Sequence, residues 1–298
     1  MKVEFFQTLA AVLRCGSFAG AAAEMNLSPS AVSLQMKQLE LYFGQPLFDR
    51  SALQVRPTPF AHEVGTVVDG AIGALETLRR RSAPVVEGKV RFGIIEPMQV
   101  TLLPDFTALV RERYPKLDVR LERGRSTALV DALRSGAIDA AVVAQPETGA
   151  STRVQWTPLF REQCVLVAPR ASGRRNINSL FRDYEWIRFD TSTIAGSAAA
   201  SFVHRTAPDA RSRTELLSIP AIVAMASRGL GVSVLPRPDA YLLEAFPVRL
   251  MTLGDDAPSR RISFVSRAAD AEDRVIRALL DTMRIVADRR DQAREPAR

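Results

Sequence analysis

Cysteine and histidine are nearly absent from this 298-residue chain, with two of each: Cys15 and Cys164, His62 and His204. The cysteines lie far apart in different candidate domains, which argues against a structural disulfide and fits the cytoplasm. Zinc needs clustered His or Cys ligands, and these four residues are scattered. A Ser-His-Asp hydrolase would need His204 beside an activated serine, and no Gly-x-Ser-x-Gly elbow occurs. There is no Walker motif, and Gly229-Leu230-Gly231 precedes a strand-like run where a nucleotide fingerprint would follow one. No apolar run is long enough to cross a membrane. Met1-Lys2-Val3-Glu4 leads into an amphipathic helix without a signal-peptide pattern. These shortages point away from an enzyme, and neither a metal nor a cofactor is expected.

The chain exceeds one typical domain, and at 47% hydrophobic and 24% charged residues it reads as globular, not disordered. The net charge of +7 carries little weight. Residues 1–58 hold Lys2, Arg14, Lys37, Arg50 and Arg56 against Glu4, Glu24, Glu40 and Asp49, so the surplus sits elsewhere. Placement of charge matters more than its total.

Ser17 to Arg50 is the most informative stretch. Ala19–Met25 is a small-residue helix, and Asn26-Leu27-Ser28 supplies turn chemistry. Pro29 then occupies a first helical position, where its missing N–H costs nothing, and Ser28 can cap. Val32, Met36 and Leu39 recur at helical spacing and bury one face, leaving Ser30, Ser33, Leu34 and Lys37 on the other. Helix-turn-helix proteins present such a face to the major groove. Gly44 is a helix stop. Leu47-Phe48-Asp49-Arg50 and Val55-Arg56-Pro57 then read as two short strands around a wing tip at Ser51–Gln54. An alanine-rich helix pair with a Ser-Pro junction also occurs in ordinary all-α domains; the wing is what favours DNA. Ser28, Pro29, Ser30, Ser33, Leu34, Lys37, Arg50 and Arg56 are therefore the candidate DNA-binding residues. Arg50 and Arg56 are placed for phosphate or the minor groove, or are solvated wing charges.

Between Pro59 and Val86, Phe60, Val64, Val67, Ala71, Leu75 and Leu78 form a heptad-like seam. Gly65, Gly70 and Gly73 weaken the helix in isolation, so packing must hold it. It is read as a dimerising linker, the alternative being a helix packed on its own domain. From Gly88 onward strands and helices alternate, which implies a mainly parallel sheet covered by helices. The expected strands are Val90–Ile95, Val119–Glu122, Ala140–Val143, Gln163–Ala168, Trp186–Phe189, Val232–Leu235 and Ile262–Val265. The expected helices are Leu102–Tyr114, Thr127–Arg134, Gly196–His204, Pro220–Arg228 and Ala271–Ala287. Asp288–Arg298 reads as a charged, frayed end.

The chain resembles the LysR-type transcriptional regulators. The N-terminal residues that carry the resemblance are Phe6, Leu9, Ser17-Phe18, Ala21-Ala22, Ser28, Ala31-Val32-Ser33, Gln35-Met36, Leu39-Glu40, Gly44, Leu47-Phe48, Arg50 and Thr58-Pro59. Further on, Leu103-Pro104, Tyr114-Pro115, Gly124, Ser126, Leu129, Leu133, Gly136, Ile138-Asp139, Gly229-Leu230-Gly231 and Leu235-Pro236 follow the family's order. Two positions depart from it. Pro29 stands where the family often has Gln, and Ala61 stands where a glycine usually follows Thr-Pro.

The resemblance implies an N-terminal all-α winged helix-turn-helix at 1–58 and a long linker helix at 59–87. An α/β two-lobed periplasmic-binding-protein-like effector domain follows at 88–298, with lobe I at about 88–162 and 266–298 and lobe II at about 163–265. The partners it implies are double-stranded DNA at promoters, a small-molecule effector in the cleft, a second copy as a homodimer with pairing into a tetramer, and RNA polymerase; no membrane is implied. Ligands in open α/β sheets sit beyond strand carboxyl ends and near helix N-termini. That rule nominates Glu96, Pro97, Met98, Gln99 and Thr101, then Ser126 and Thr127, then Asp190, Thr191, Ser192 and Ser218 for effector binding. Ser126, Thr127 and Ser218 fit equally well as helix caps. Glu96 and Asp190 would favour an effector with a cationic group, unless they pair with Arg91, Arg125 or Arg188. A solute-binding protein without regulatory function is the competing reading; it explains residues after Gly88 but not the wing.

Overall fold

The computed structural model describes residues 2–49, 56–81, 86–146, 153–173 and 175–294. They fall into two compact units: Met1–Pro84 with Asp131–Asp139, and Val85–Val130 with Ala140–Arg298.

In the first unit, α1 (Val3–Cys15), α2 (Phe18–Met25) and α3 (Pro29–Phe43) pack around one apolar cluster, followed by β1 (Phe48–Asp49), β2 (Arg56–Pro57) and α4 (Pro59–Arg81). Each helix boundary follows from its sequence. Gly16, Asn26 and Gly44 take left-handed conformations at the three C-termini, as a chain reversal requires. The Ser17 hydroxyl accepts the Gly20 N–H at 3.1 Å, and Ser28 accepts that of Ala31 at 3.2 Å. The core holds Leu9, Val12, Val32, Met36, Leu39 and Leu47, all buried, with Phe43 edge-on to Phe60 at 5.6 Å. β1 and β2 pair antiparallel as the base of the wing, Asp49 opposite Arg56.

The start of α4 packs on this same cluster through Phe60, Ala61, Val64 and Val68, while Val67 and Leu75 are exposed. Gly65 lets α4 approach α1 closely: a Cβ there would lie 2.4 Å from Leu13 Cδ1, so the leucine side chain would have to shift. The start of the helix is thus packed on its own domain, as the alternative reading had it; the Leu78 side chain lies outside the described residues.

The second unit contains β3 (Gly88–Ile94), α5 (Glu96–Arg113), β4 (Leu117–Arg123), the first half of α6 (Ser126–Ser135, whose residues from Asp131 on belong to the first unit), β5 (Ala140–Gln145) and β6 (Val154–Pro169). It continues with α7 (Ile177–Asp183), β7 (Ile187–Phe189), α8 (Ile194–Thr206), β8 (Thr214–Leu216), α9 (Ile219–Ser227) and β9 (Ser233–Pro236). Last come α10 (Ala240–Ala245), β10 (Val248–Thr252), β11 (Ser259–Arg267) and α11 (Arg274–Arg294). Six strands run in the order β10-β6-β11-β5-β3-β4, and β9 pairs with β6 as a branch. Within this sheet β3 pairs in parallel with β4 and β5, whereas β11 runs antiparallel to both β5 and β6, so the sheet is mixed and not mainly parallel; β7 and β8 form a separate parallel pair.

β6 makes this domain two-lobed. Its first half pairs with β11, and its second half lies between β10 and β9. In the second lobe, Cys164, Leu166 and Ala168 face a cluster with Trp186, Phe202 and Val203, while Val165 and Val167 face Ile187, Ile222 and Leu235. Period-two alternation thus buries both faces. In the first lobe Phe92 stacks on Phe106 at 4.9 Å and meets Phe264 at 6.0 Å. Burying such a ring contributes roughly 1.5–3 kcal/mol.

Several expectations are corrected. The helix expected at Leu102 begins at Glu96 and runs through Pro104. Pro97 supplies the fixed φ of a first helical turn, and the helix absorbs the second proline. Glu96, Pro97, Met98, Gln99 and Thr101 therefore stand on the first turns of α5, not in a loop. The strand expected from Gln163 starts at Val154, because Pro158 sits where the register with β11 shifts, one of the few sheet positions a proline tolerates. β11 is continuous over Ser259–Arg267, so a lobe boundary between 265 and 266 would cut through it. Strands β8 and β10 and helices α7 and α10 were not anticipated. The frayed end is helical to Arg294, and Arg290 is buried.

Candidate functional site

The first candidate surface is α3. Val32, Met36 and Leu39 are fully buried, which fixes the rotation of the helix. Pro29, Ser30, Leu34 and Lys37 are then exposed and Ser33 half-buried, so the nominated polar face is presented as expected. The Ser28 and Ser30 hydroxyls lie 2.9 Å apart at the helix start, and Pro29 occupies its first turn. Ser28 is thus committed to capping. Arg56 is exposed on β2; Arg50 and residues 51–55, the wing tip, lie outside the described residues.

Sequence reasoning missed what holds the wing to α3. The Glu40 carboxylate accepts the backbone N–H groups of Leu47 at 3.0 Å and Phe48 at 3.1 Å. Thr58 ties the other side, donating to Pro46 O at 3.0 Å while accepting the Ala61 N–H at 3.1 Å as the cap of α4. A Glu near the end of an amphipathic helix gives no local signal of this, because its partners come from the next segment.

The second candidate is an open pocket of about 600 Å³ between the lobes of the second unit. Glu96, Pro97, Ser126, Thr127 and Ser192 of the nominated residues line it. Gly124, Arg125, Phe189, Thr193, Leu217 and Arg260 line it without having been nominated. Residues at the N-terminal ends of α5, α6 and α8 line it, so three positive helix ends meet here. Ser126 Oγ accepts the Ala144 N–H at 3.1 Å, joining the end of β5 to α6 and leaving the hydroxyl proton for another acceptor. Thr193 caps α8 by accepting the Gly196 N–H at 3.0 Å. Gly196 is required, since a Cβ would lie 2.0 Å from Asp190 O.

Asp190 does not offer a free charge to the pocket. Its carboxylate accepts the Ser192 N–H at 2.8 Å and hydroxyl at 2.6 Å, and Arg125 Nη2 at 2.9 Å. The Ser192 hydroxyl bond foremost, with Arg125 adding to it, holds the Asp190 carboxyl below its ordinary value. Thr191 is likewise committed, its N–H and hydroxyl both donating to Glu215, which lowers the Glu215 pKa. Ser218 caps α9 through the Ala221 N–H at 3.4 Å. Met98 is buried and lines a neighbouring pocket with Tyr241. Gln99 is half-buried, and Thr101 donates to Asp239 at 2.7 Å. Glu96 is exposed, with no hydrogen bond or ion pair among the described residues.

Arg260 was missed because it lies far along the chain. It is buried on β11 beside Glu162 of β6, at 2.6 Å from Nη2. Arg290 of α11 donates to the other oxygen of the same carboxylate and sits 3.9 Å over the Phe160 ring. Neither thiol lines the pocket. Cys15 is exposed and donates to Glu24 at 3.2 Å, while burial pushes Cys164 up to about 12. No group of His, Cys, Asp and Glu among the described residues is arranged to hold a metal, and none of their helices is long and apolar enough to cross a membrane.

Residues 3–62 match the family described as the bacterial regulatory helix-turn-helix protein of the lysR family, and residues 84–288 match the LysR substrate binding domain. A probable hydrogen peroxide-inducible genes activator of Streptomyces viridosporus is 30% identical, with 93% of each chain covered. A protein of the same name from Mycobacterium avium is 29% identical over 90% of this chain and 89% of its own. In fold, the chain is similar to full-length OxyR of Pseudomonas aeruginosa carrying a cysteine-to-aspartate substitution. The TM-score is 0.71, at 22% identity over 96% of this chain and 95% of that one. The exposed face of α3, the wing base beside it and the two-lobed domain agree with both matched regions: the chain belongs to the LysR-type family of DNA-binding transcriptional regulators with an effector-binding domain.

Proposed function

We propose that α3 enters the major groove of promoter DNA with Ser30, Ser33, Leu34 and Lys37 toward the bases, and that Pro29, Arg50 and Arg56 contact the flanking backbone. The single observation behind this is the rotation of α3, fixed by three fully buried apolar residues, which turns its short polar side chains and one lysine outward. Leu34, 58% exposed, is costly to leave in water and suits a thymine methyl. Ser28 contributes by capping the helix. The division into a DNA-binding segment at 1–58, a linker at 59–87 and an effector domain after it is part of this reading, as are a cytoplasmic location and a regulatory, non-enzymatic role. Two copies would associate through the exposed Val67 and Leu75 positions of α4, matching two half-sites. A tetramer and contact with RNA polymerase extend the same reading. Titrating operator binding against salt tests it. Lys37→Ala and Arg56→Ala should each flatten the log–log salt slope by about 0.9 if they meet phosphate. Unchanged slopes in both variants would remove them from the interface.

The interlobe pocket is read as the effector site. Its converging helix ends suit an oxyanion or carbonyl group near Ser126 and Thr127, and the exposed Glu96 suits an ammonium group on the same molecule. An effector acts only through its differential affinity for two lobe arrangements. The relatives' names favour a second reading, a response to hydrogen peroxide. Against a thiol-based form of it stands the pocket lining, which contains no cysteine. A reversibly bound effector should stabilise the protein in the dark of any oxidant, and Glu96→Gln should weaken binding of amine-bearing candidates only.

A further inference from the structure

The two strands that join the lobes carry opposite charge arrangements on their two faces. On one face Arg260 is paired in register with Glu162, as a buried ion pair. On the other face the next residues, Arg261 and Arg161, are also register partners. Directly opposite side chains of an antiparallel pair stand about 4.5–5.5 Å apart at Cβ, and like charges there repel. Both arginines are exposed, and neither has an ion pair among the described residues. The Ser259 hydroxyl accepts Arg161 Nε at 2.7 Å.

We propose that Arg161 and Arg261 form a binding site for a small, doubly charged oxyanion, adjoining the interlobe pocket. The two side chains share an open pocket of about 700 Å³ with Gln145, Ser259, Ile194 and Arg260, the last two of which also line the interlobe pocket, and no carboxylate lines it. Gln145 is the register partner of Arg261 on the other side, so a polar row crosses three strands. Ile194 is the first residue of α8, a 13-residue helix whose N-terminus adds a positive field. Two planar guanidinium forks on adjacent strands match an anion that can accept two bidentate pairs. A phosphate ester and a dicarboxylate share that chemistry. Occupancy cancels the repulsion between the joining strands, so the anion stabilises the domain at its hinge. The site does not depend on what the interlobe pocket binds.

The test is thermal unfolding of the full chain at constant ionic strength, with chloride exchanged stepwise for inorganic phosphate or for succinate. The melting temperature of the parent should rise with one or both anions. A response to phosphate alone assigns a phosphoryl ligand, one to succinate alone a dicarboxylate, and equal responses a site that reads charge only. Arg161→Gln and Arg261→Gln should each weaken the half-maximal response roughly tenfold or more, as loss of a charge-assisted bond does. Each variant should also melt higher than the parent in chloride, because the repulsion is gone. Arg284→Gln, on the exposed face of α11, should change neither readout. Ser126→Ala should leave the anion response intact, which separates this site from the interlobe pocket. A parent insensitive to both anions would overturn the proposal, and so would an anion response that persists in the double variant.

Discussion

Arg125 and Asp190 form a 2.9 Å ion pair that bridges the two lobes at the mouth of the pocket. Arg125 precedes α6, Asp190 follows β7, and Ser192 beside it accepts a second bond from the same guanidinium. A carboxylate expected to meet an effector thus holds the lobes together.

The bridge has a defined pH dependence. The Asp190 pKa is lowered on folding, so its contribution is present above the ordinary value of 3.8 and is lost as pH falls through the lower folded value. Arg125 is half-exposed, so the contribution is bounded at about 1 kcal/mol. Asp190→Asn should lower stability at pH 7 by up to that amount and flatten the acid limb of a pH–stability profile. A variant profile parallel to the parent's below pH 4 would show that the bridge does not contribute.

Glu162 supports two buried guanidinium groups at once. Glu162→Ala leaves Arg260 and Arg290 without their shared carboxylate and should cost about 3–5 kcal/mol in denaturant unfolding. Replacing all three residues together with leucine or methionine should cost far less, since no buried charge remains. Equal losses in the two variants would mean that packing around Phe160, not charge, dominates.

Glu40 holds the entry to the wing. Glu40→Ala exposes two buried backbone N–H groups and should destabilise the N-terminal unit by about 1–3 kcal/mol. Operator affinity should fall further than stability does, because the wing loses its tether to α3. Glu40→Gln keeps an acceptor oxygen and should recover part of both. Full operator affinity in the alanine variant would show the wing to be positioned by other contacts.

The thiols differ in reactivity. Cys164 is buried, with its pKa pushed up to about 12, and should resist alkylation in the native protein at pH 8. Cys15 is exposed and should label, although its hydrogen bond to Glu24 raises its pKa and slows the reaction. Mass spectrometry should find one label per chain, and hydrogen peroxide should produce no intrachain disulfide. Rapid double labelling would mean that the second lobe opens readily around β6.

The sequence by itself determined the local structure of this protein. Ser17, Ser28, Gly16, Gly44 and Pro29 set helix ends through their own backbone preferences. The 3.6-residue spacing of Val32, Met36 and Leu39 decided which side of α3 faces outward. The chain order of strands and helices, with the family's short motifs, was enough for the two-lobed α/β architecture. Tertiary structure decided whatever depends on partners distant in the chain. Whether Asp190 meets a ligand or Arg125, and whether Glu96 through Thr101 form a loop or helix, could not be read locally. Nor could the burial of Arg290 at the end of α11, since its carboxylate lies 128 residues earlier. Arg161 and Arg261 are unremarkable as isolated residues; only the register of β6 against β11 makes them neighbours. Caps and periodicities act within a few residues and are written locally, whereas ion pairs and pockets require the chain to have closed on itself.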